Sequence, residues 1–249
     1  MIRILIILIL VILFLILTMP FQLVMWLIGK KKPEVRDKYT LAWVSWAFNM
    51  IKVISGVKLT VIGEENIPVD RGALFIGNHR SIFDIVLTYP LMKGPTGYVS
   101  KKEVEKVPLL NVWMRSLHCL FLDRKDTRAG LDMVLKAIDS VKKGISIFIF
   151  PEGTRNRDWE DNGLLPFRDG AFKIATKSGA PIVPVSIVGT GDVLEKHIPF
   201  IRPAKVIVEF GTPIETKDLD RAEQKNLSTD VAQIITDTYV KNKEALAQK

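Results

Sequence analysis

The stretch Leu74 to Asp84, LFIGNHRSIFD, carries an Asn78-His79 pair and an aspartate, Asp84, five residues beyond the histidine. An imidazole beside a carboxylate makes a general base with its orienting acid. The carboxylate holds one ring nitrogen as N–H, and the other nitrogen takes a proton from a hydroxyl. On one continuous helix, residues five apart point about 140° away from each other and cannot meet. The spacing therefore predicts His79 in a loop and Asp84 in the first turn of a helix, with Ser81 as its N-cap. Chemistry of this kind needs no serine or cysteine nucleophile.

Three more polar clusters close apolar runs in the same way. Phe150 to Arg155, FPEGTR, follows Ile145, Ile147 and Ile149; Leu120 to Arg124 reads LFLDR; Tyr98 to Lys102 reads YVSKK. Gly153 permits a tight turn and close backbone approach, so that neighbouring N–H groups can face a developing oxyanion. Arg155 offers a planar fork suited to phosphate. Arg124, Lys101 and Lys102, at the ends of other apolar runs, extend this into a cationic pocket for a phosphate monoester. His118 and His197 lack a ligand spacing, so no metal site is expected. The sequence contains no Gly-x-Ser-x-Gly elbow, P-loop or dinucleotide-binding glycine pattern.

Placing these clusters on one rim requires strands that alternate with helices. Predicted strands are Lys58–Ile62, Ala73–Ile76, Thr96–Ser100, Leu120–Leu122, Ser146–Phe150, Ile182–Val188 and Val206–Phe210. Predicted helices are Ile82–Leu91, Leu109–Ser116, Thr127–Lys142, Ala171–Ser178 and Leu219–Ala247. This order implies an α/β fold: a mostly parallel open sheet of about seven strands with helices on both faces. In such sheets ligands bind at the carboxyl ends of the strands. Pro184, inside IVPVSIV, suggests a sheet edge or a bulge.

The chain has 249 residues, a net charge of +8 and 48% hydrophobic residues. That is enough for one sizeable domain with an appendage, and the charge implies an anionic partner. No basic-aromatic interleaving points to nucleic acid, and none is expected as a partner. The single cysteine, Cys119, lies in an apolar run; it excludes a disulfide framework and is a poor nucleophile. From Ile4 to Ile28 only Thr18 and Gln22 are markedly polar, a run long enough to cross a bilayer core, with Pro20 as a kink or as the mark of a helix dipping into one leaflet. Lys30, Lys31 and Lys32 follow and, if the segment spans, place the rest of the chain on the cytoplasmic side. Tyr39–Val57, with Trp43, Trp46 and Phe48, reads as an interfacial aromatic helix. The predicted division is residues 1–56 as membrane-anchoring helices and 57–249 as the α/β domain.

Four stretches in order, NHRSIFD, LFLDR, FPEGTR and IVPVSI, resemble the four motifs of the glycerolipid acyltransferases over Lys58 to about Pro213. The resemblance is greatest to the bacterial branch that acylates 1-acyl-sn-glycerol-3-phosphate. It implies His79 as base with Asp84 as partner. It also implies that Glu152, Gly153, Thr154 and Arg155 serve the acceptor and the reaction loop, and that Arg124 and Lys101 hold the acceptor phosphate. The implied co-substrate is a thioester, acyl-CoA or acyl-carrier protein, with no metal or cofactor. The implied partners are lysophosphatidic acid and the bilayer, at the cytoplasmic (inner) membrane. Glycerol-3-phosphate or another lysophospholipid is the alternative acceptor, and a catalytically silent lipid-binding protein is the alternative from outside the enzymes.

Overall fold

The structure, a computed structural model, describes residues 1–124, 126–159 and 163–248. Seven strands, β1 (Lys58–Ile62), β2 (Leu74–Gly77), β3 (Thr96–Lys101), β4 (Leu120–Leu122), β5 (Ser146–Ile149), β6 (Ile182–Val188) and β7 (Lys205–Phe210), form one sheet in the order β1-β7-β6-β2-β5-β3-β4. All neighbours are parallel except β6 and β7. The segment between those two holds only short 3-10 turns, with no crossover helix to return the chain to the opposite end of the sheet.

Every residue of β2, β5 and β6 is buried, as the unbroken apolar runs require of strands covered on both faces. Successive residues divide between two cores. Phe75 and Phe148 join Tyr89 and Tyr98 beneath α3 (Pro33–Ser55), α4 (Phe83–Thr88) and α5 (Leu110–Ser116). Leu74, Ile76, Ile147 and Ile149 pack beneath α6 (Thr127–Lys142), α7 (Lys173–Ser178) and α8 (Arg221–Ala247). On the first face the rings form a continuous layer, with Tyr89–Tyr98 and Tyr98–Phe148 centroids each 4.7 Å apart. Ile76 of β2 lies in register with Ile149 of β5, so the His79 loop and the FPEGTR loop leave the same edge side by side.

Several boundaries depart from expectation for local reasons. The helix expected over 82–91 is α4 followed by a 3-10 turn at Tyr89–Leu91, because Pro90 lacks the N–H that a longer α-helix needs. α8 starts at Arg221 behind a capping box in which Asp220 accepts from Ala222 and Glu223 N–H and Glu223 reaches back to Asp220 N–H. Strand β6 is central and not an edge. Pro184 is accommodated because β7 ends at Phe210, and the facing segment carries one extra residue between the Val185–Phe210 pair and the Ile182–Ile214 bridge.

The N-terminal run forms two helices, α1 (Ile2–Leu17) and α2 (Met19–Gly29), bent by 49° at Thr18. Pro20 occupies the first turn of α2, where its missing N–H breaks the ladder from α1. No single helix is long and apolar enough to cross a membrane; the bent pair meets that length and composition only together. Trp113 Nε1 of α5 donates to Thr18 Oγ1 at 3.2 Å and its ring lies 4.9 Å from Phe14, which docks the bend onto the domain. Outward, Leu5, Ile9, Ile12, Leu23 and Trp26 remain exposed. Cys119 is buried just before β4, and burial pushes its thiol up to about 11.

Candidate active site

Strand β2 ends in Gly77 and Asn78. A Cβ on Gly77 would come within 2.9 Å of the Phe148 ring, so glycine lets the aromatic layer close against the strand end. The buried Asn78 amide donates to Ile187 O at 2.9 Å and accepts from Ile187 N–H at 2.8 Å, which fixes the loop to β6. His79 follows, and its Nδ1 donates to Asp84 Oδ2 at 2.8 Å. The same oxygen accepts the backbone N–H of Arg80 at 2.7 Å and of Ser81 at 2.8 Å, while Oδ1 accepts Thr190 Oγ1 at 2.5 Å. Asp84 is fully buried and accepts four donors, so the predicted loop-to-helix corner is present. Ser81 differs from its predicted role: α4 begins after Ile82, and the Ser81 hydroxyl accepts Phe83 N–H at 3.0 Å from one position further out.

The imidazole is fixed on a second side by Phe150, whose ring is stacked 4.2 Å away at 14°. Nε2 has no hydrogen-bond partner among the described residues, and His79 lines the wall of a groove of about 590 Å³. With Nδ1 committed as donor to a carboxylate, Nε2 carries the free lone pair. One wall of the groove is apolar, with Val99, Leu122, Met133, Val134 and Ile149 between the sheet and α6. Its rim carries Lys101, Arg124, Arg155, Arg168 and Lys173. Among the described residues no group of three or more His, Cys, Asp or Glu is arranged to hold a metal ion.

Residues 58–188 match the acyltransferase family model. The chain belongs to the acyltransferase family. It is 31% identical over 193 residues to a 1-acyl-sn-glycerol-3-phosphate acyltransferase of Borreliella burgdorferi, covering 78% of this chain and 74% of that one. It is 36% identical over 152 residues to a chloroplastic 1-acyl-sn-glycerol-3-phosphate acyltransferase of Brassica napus, covering 60% and 42%. The crystal structure of the 1-acyl-sn-glycerophosphate (LPA) acyltransferase PlsC from Thermotoga maritima superposes with a TM-score of 0.83 at 28% identity, covering 97% of this chain and 95% of that one.

Within this acyltransferase the other sequence-predicted residues separate into two groups. Lys101, Arg124, Gly153 and Arg155 line the groove with His79. Lys102 is outside the groove lining and pairs with Asp123 at 3.7 Å. Glu152, expected on the acceptor, is instead buried with both oxygens on backbone: Oε1 accepts His79 N–H at 2.7 Å and Oε2 accepts Leu165 N–H at 2.9 Å. It sets the position of His79. Burial raises its pKa, opposed by those two hydrogen bonds. Thr154 is exposed and lies outside the groove lining. Gly153 adopts φ 70°, and its N–H closes the turn onto Phe150 O at 3.0 Å. The N–H groups of Thr154 and Arg155 have no hydrogen-bond acceptor among the described residues.

Two residues that sequence reasoning passed over complete the site. Thr190, in the turn after β6, is the partner of Asp84 Oδ1. Glu195, with a side chain only 1% exposed, pairs with Arg155 Nη1 at 2.9 Å, accepts Ile82 N–H at 2.8 Å and accepts the Ser81 hydroxyl. One buried carboxylate thus ties the histidine corner to the arginine loop. Both residues lie just beyond the 58–188 family match, in a stretch with no recognisable motif.

Proposed function

We propose that the protein transfers a fatty acyl chain from a thioester donor, acyl-CoA or acyl-carrier protein, to the sn-2 hydroxyl of 1-acyl-sn-glycerol-3-phosphate, giving phosphatidic acid for phospholipid synthesis. The observation that carries this reading is the His79–Asp84 pair, with an unpartnered Nε2 facing a groove that joins an apolar wall to a cationic rim. Nε2 removes the hydroxyl proton as the oxygen attacks the thioester carbonyl. The carbonyl electron pair moves onto oxygen, where the N–H of Arg155, a groove-lining residue of the Gly153 turn, is available as a donor. Collapse breaks the C–S bond, and the imidazolium returns its proton to the departing thiolate. Asp84 stabilises that imidazolium. Arg155 and Lys101 hold the acceptor phosphate, with Arg124 beside them on the same rim, and the apolar wall takes an acyl chain. Glu152 and Glu195 touch no reacting atom and act by placing His79 and Arg155.

The exposed apolar residues of α1 and α2, followed by Lys30, Lys31 and Lys32, anchor the enzyme to the cytoplasmic face of the inner membrane, where acceptor and product stay in the bilayer. The test is an acceptor and donor panel with mass spectrometry of the lipid products. Phosphatidic acid formed from lysophosphatidic acid faster than any product from glycerol-3-phosphate or other lysophospholipids is the expected outcome. A preference for another acceptor overturns the assignment.

A further inference from the structure

We propose that Arg168, together with Arg124, forms an organophosphate-binding site laid across the Gly153 turn at the mouth of the groove. The inference deepens the acyl-transfer reading and rests on it. Arg155, the arginine of the FPEGTR motif, already has a buried carboxylate on Nη1. Arg124 and Arg168 do not. Both line the same groove as His79, and no carboxylate among the described residues lies within ion-pair distance of either.

The acids of the groove lining are engaged elsewhere: Asp126 accepts Arg128 and Ala129 N–H at the start of α6, and Asp123 pairs with Lys102. Two guanidinium groups from separate segments therefore line one cleft with no carboxylate ion-paired to either among the described residues. Their interaction is unfavourable, and it lowers the Arg124 pKa behind the larger effect of burial, against a weaker pull upward from Glu103. An anion between them reverses that repulsion, and a phosphate matches the guanidinium fork.

The backbone of Arg168 is held in place and its side chain is exposed. Its backbone N–H donates to Pro151 O at 3.1 Å, and its Nε lies 3.1 Å from where a Cβ on Gly153 would stand. Glycine in the FPEGTR turn thus does two things: it adopts φ 70°, and it leaves the space across which the Arg168 side chain lies. The charge is carried on the reaction loop itself, beside Pro151 and Phe150, whose ring stacks on the base.

The ligand chemistry is a phosphate group, and the reaction offers two sources: the monoester of the acceptor, or the phosphates of the donor's pantetheine arm. Steady-state kinetics of the full chain in mixed micelles, with each substrate varied in turn, separates them. Arg168→Ala is expected to raise one KM by about 10-fold or more, the worth of a charge-assisted hydrogen bond. Arg168→Lys is expected to recover part of the loss, and Lys177→Ala, an exposed cation outside the groove, to change neither KM.

A rise in the lysophosphatidic acid KM assigns the site to the acceptor. A rise for acyl-CoA that is absent with a thioester of N-acetylcysteamine, which carries no phosphate, assigns it to the donor. Both KM values within twofold of wild type overturn the proposal. Calorimetric titration with inorganic phosphate gives a readout independent of the reaction. Binding weakened several-fold by both Arg168→Ala and Arg124→Ala supports the site even if lysophosphatidic acid is not the acceptor; phosphate binding insensitive to both overturns it.

Discussion

Replacing Asp84 by asparagine keeps the shape behind His79 and removes the charge. The amide oxygen placed where Oδ2 stands retains all three donors: His79 Nδ1, Arg80 N–H and Ser81 N–H. The ring tautomer is therefore unchanged, and Nε2 keeps its lone pair. The amide nitrogen then donates to the Thr190 hydroxyl, which gives up its own donation to Oδ1; one rearranged hydrogen bond costs about 1 kcal/mol of stability. Catalysis loses more. As the base takes the hydroxyl proton, the ring becomes a cation whose charge centre is roughly 4 Å from the carboxylate. At an effective dielectric of about 20, that attraction amounts to about 4 kcal/mol, or on the order of 1,000-fold in kcat. The assay is initial-rate formation of phosphatidic acid, with urea unfolding of the same preparations as the folding control. A folded Asp84→Asn variant with kcat within tenfold of wild type refutes the reasoning. So does a His79→Ala/Asp84→Asn double variant much slower than His79→Ala alone, because Asp84 would then act other than through the base.

Further perturbations test the supporting residues. Glu195→Ala removes the carboxylate from Arg155 and Ile82 and is expected to raise the acceptor KM about tenfold in an otherwise native chain, but by less than twofold in an Arg155→Ala background; additive effects rule out action through Arg155. Glu152 has a raised pKa in the fold, so the folded chain holds that proton more tightly than the unfolded chain, and the group's stabilising contribution is lost as pH rises through the folded value. The stability of wild type relative to Glu152→Gln is accordingly expected to fall in urea titrations as pH rises above the ordinary glutamate value, and a difference that grows with pH contradicts the burial argument. Cys119, with its thiol pushed up to about 11, is expected to react with a disulfide reagent at pH 8 only in urea; fast labelling of the folded enzyme would mean that the strand is not closed over it.

What the sequence made legible was local. Runs of three to seven residues placed all seven strands, and the five-residue step from His79 to Asp84 sufficed to infer the corner, since both partners come from one turn of chain. Contacts that close over long separations were not legible. Thr190 reaches Asp84 across 106 positions and Glu195 reaches Ser81 across 114, from a segment whose composition gives no signal. Glu152 shows a different limit. The family resemblance implied a substrate contact for it, whereas its partners are backbone N–H groups, whose directions no side-chain pattern encodes. Likewise Pro184 implied an edge or a bulge, and only the pairing of β6 with β2 and β7 shows a central strand with the irregularity carried by its neighbour. The Pro20 kink was legible in kind, but the bend falls at Thr18, where Trp113 holds it.

The most direct test of His79 as the base is thiol release from acyl-CoA by purified wild type and His79→Ala, with and without lysophosphatidic acid. Acceptor-dependent release by wild type, matched mole for mole by phosphatidic acid and reduced at least 100-fold in a folded His79→Ala, is the expected result. Near-normal release by His79→Ala, or equal release in the absence of acceptor, would contradict the account.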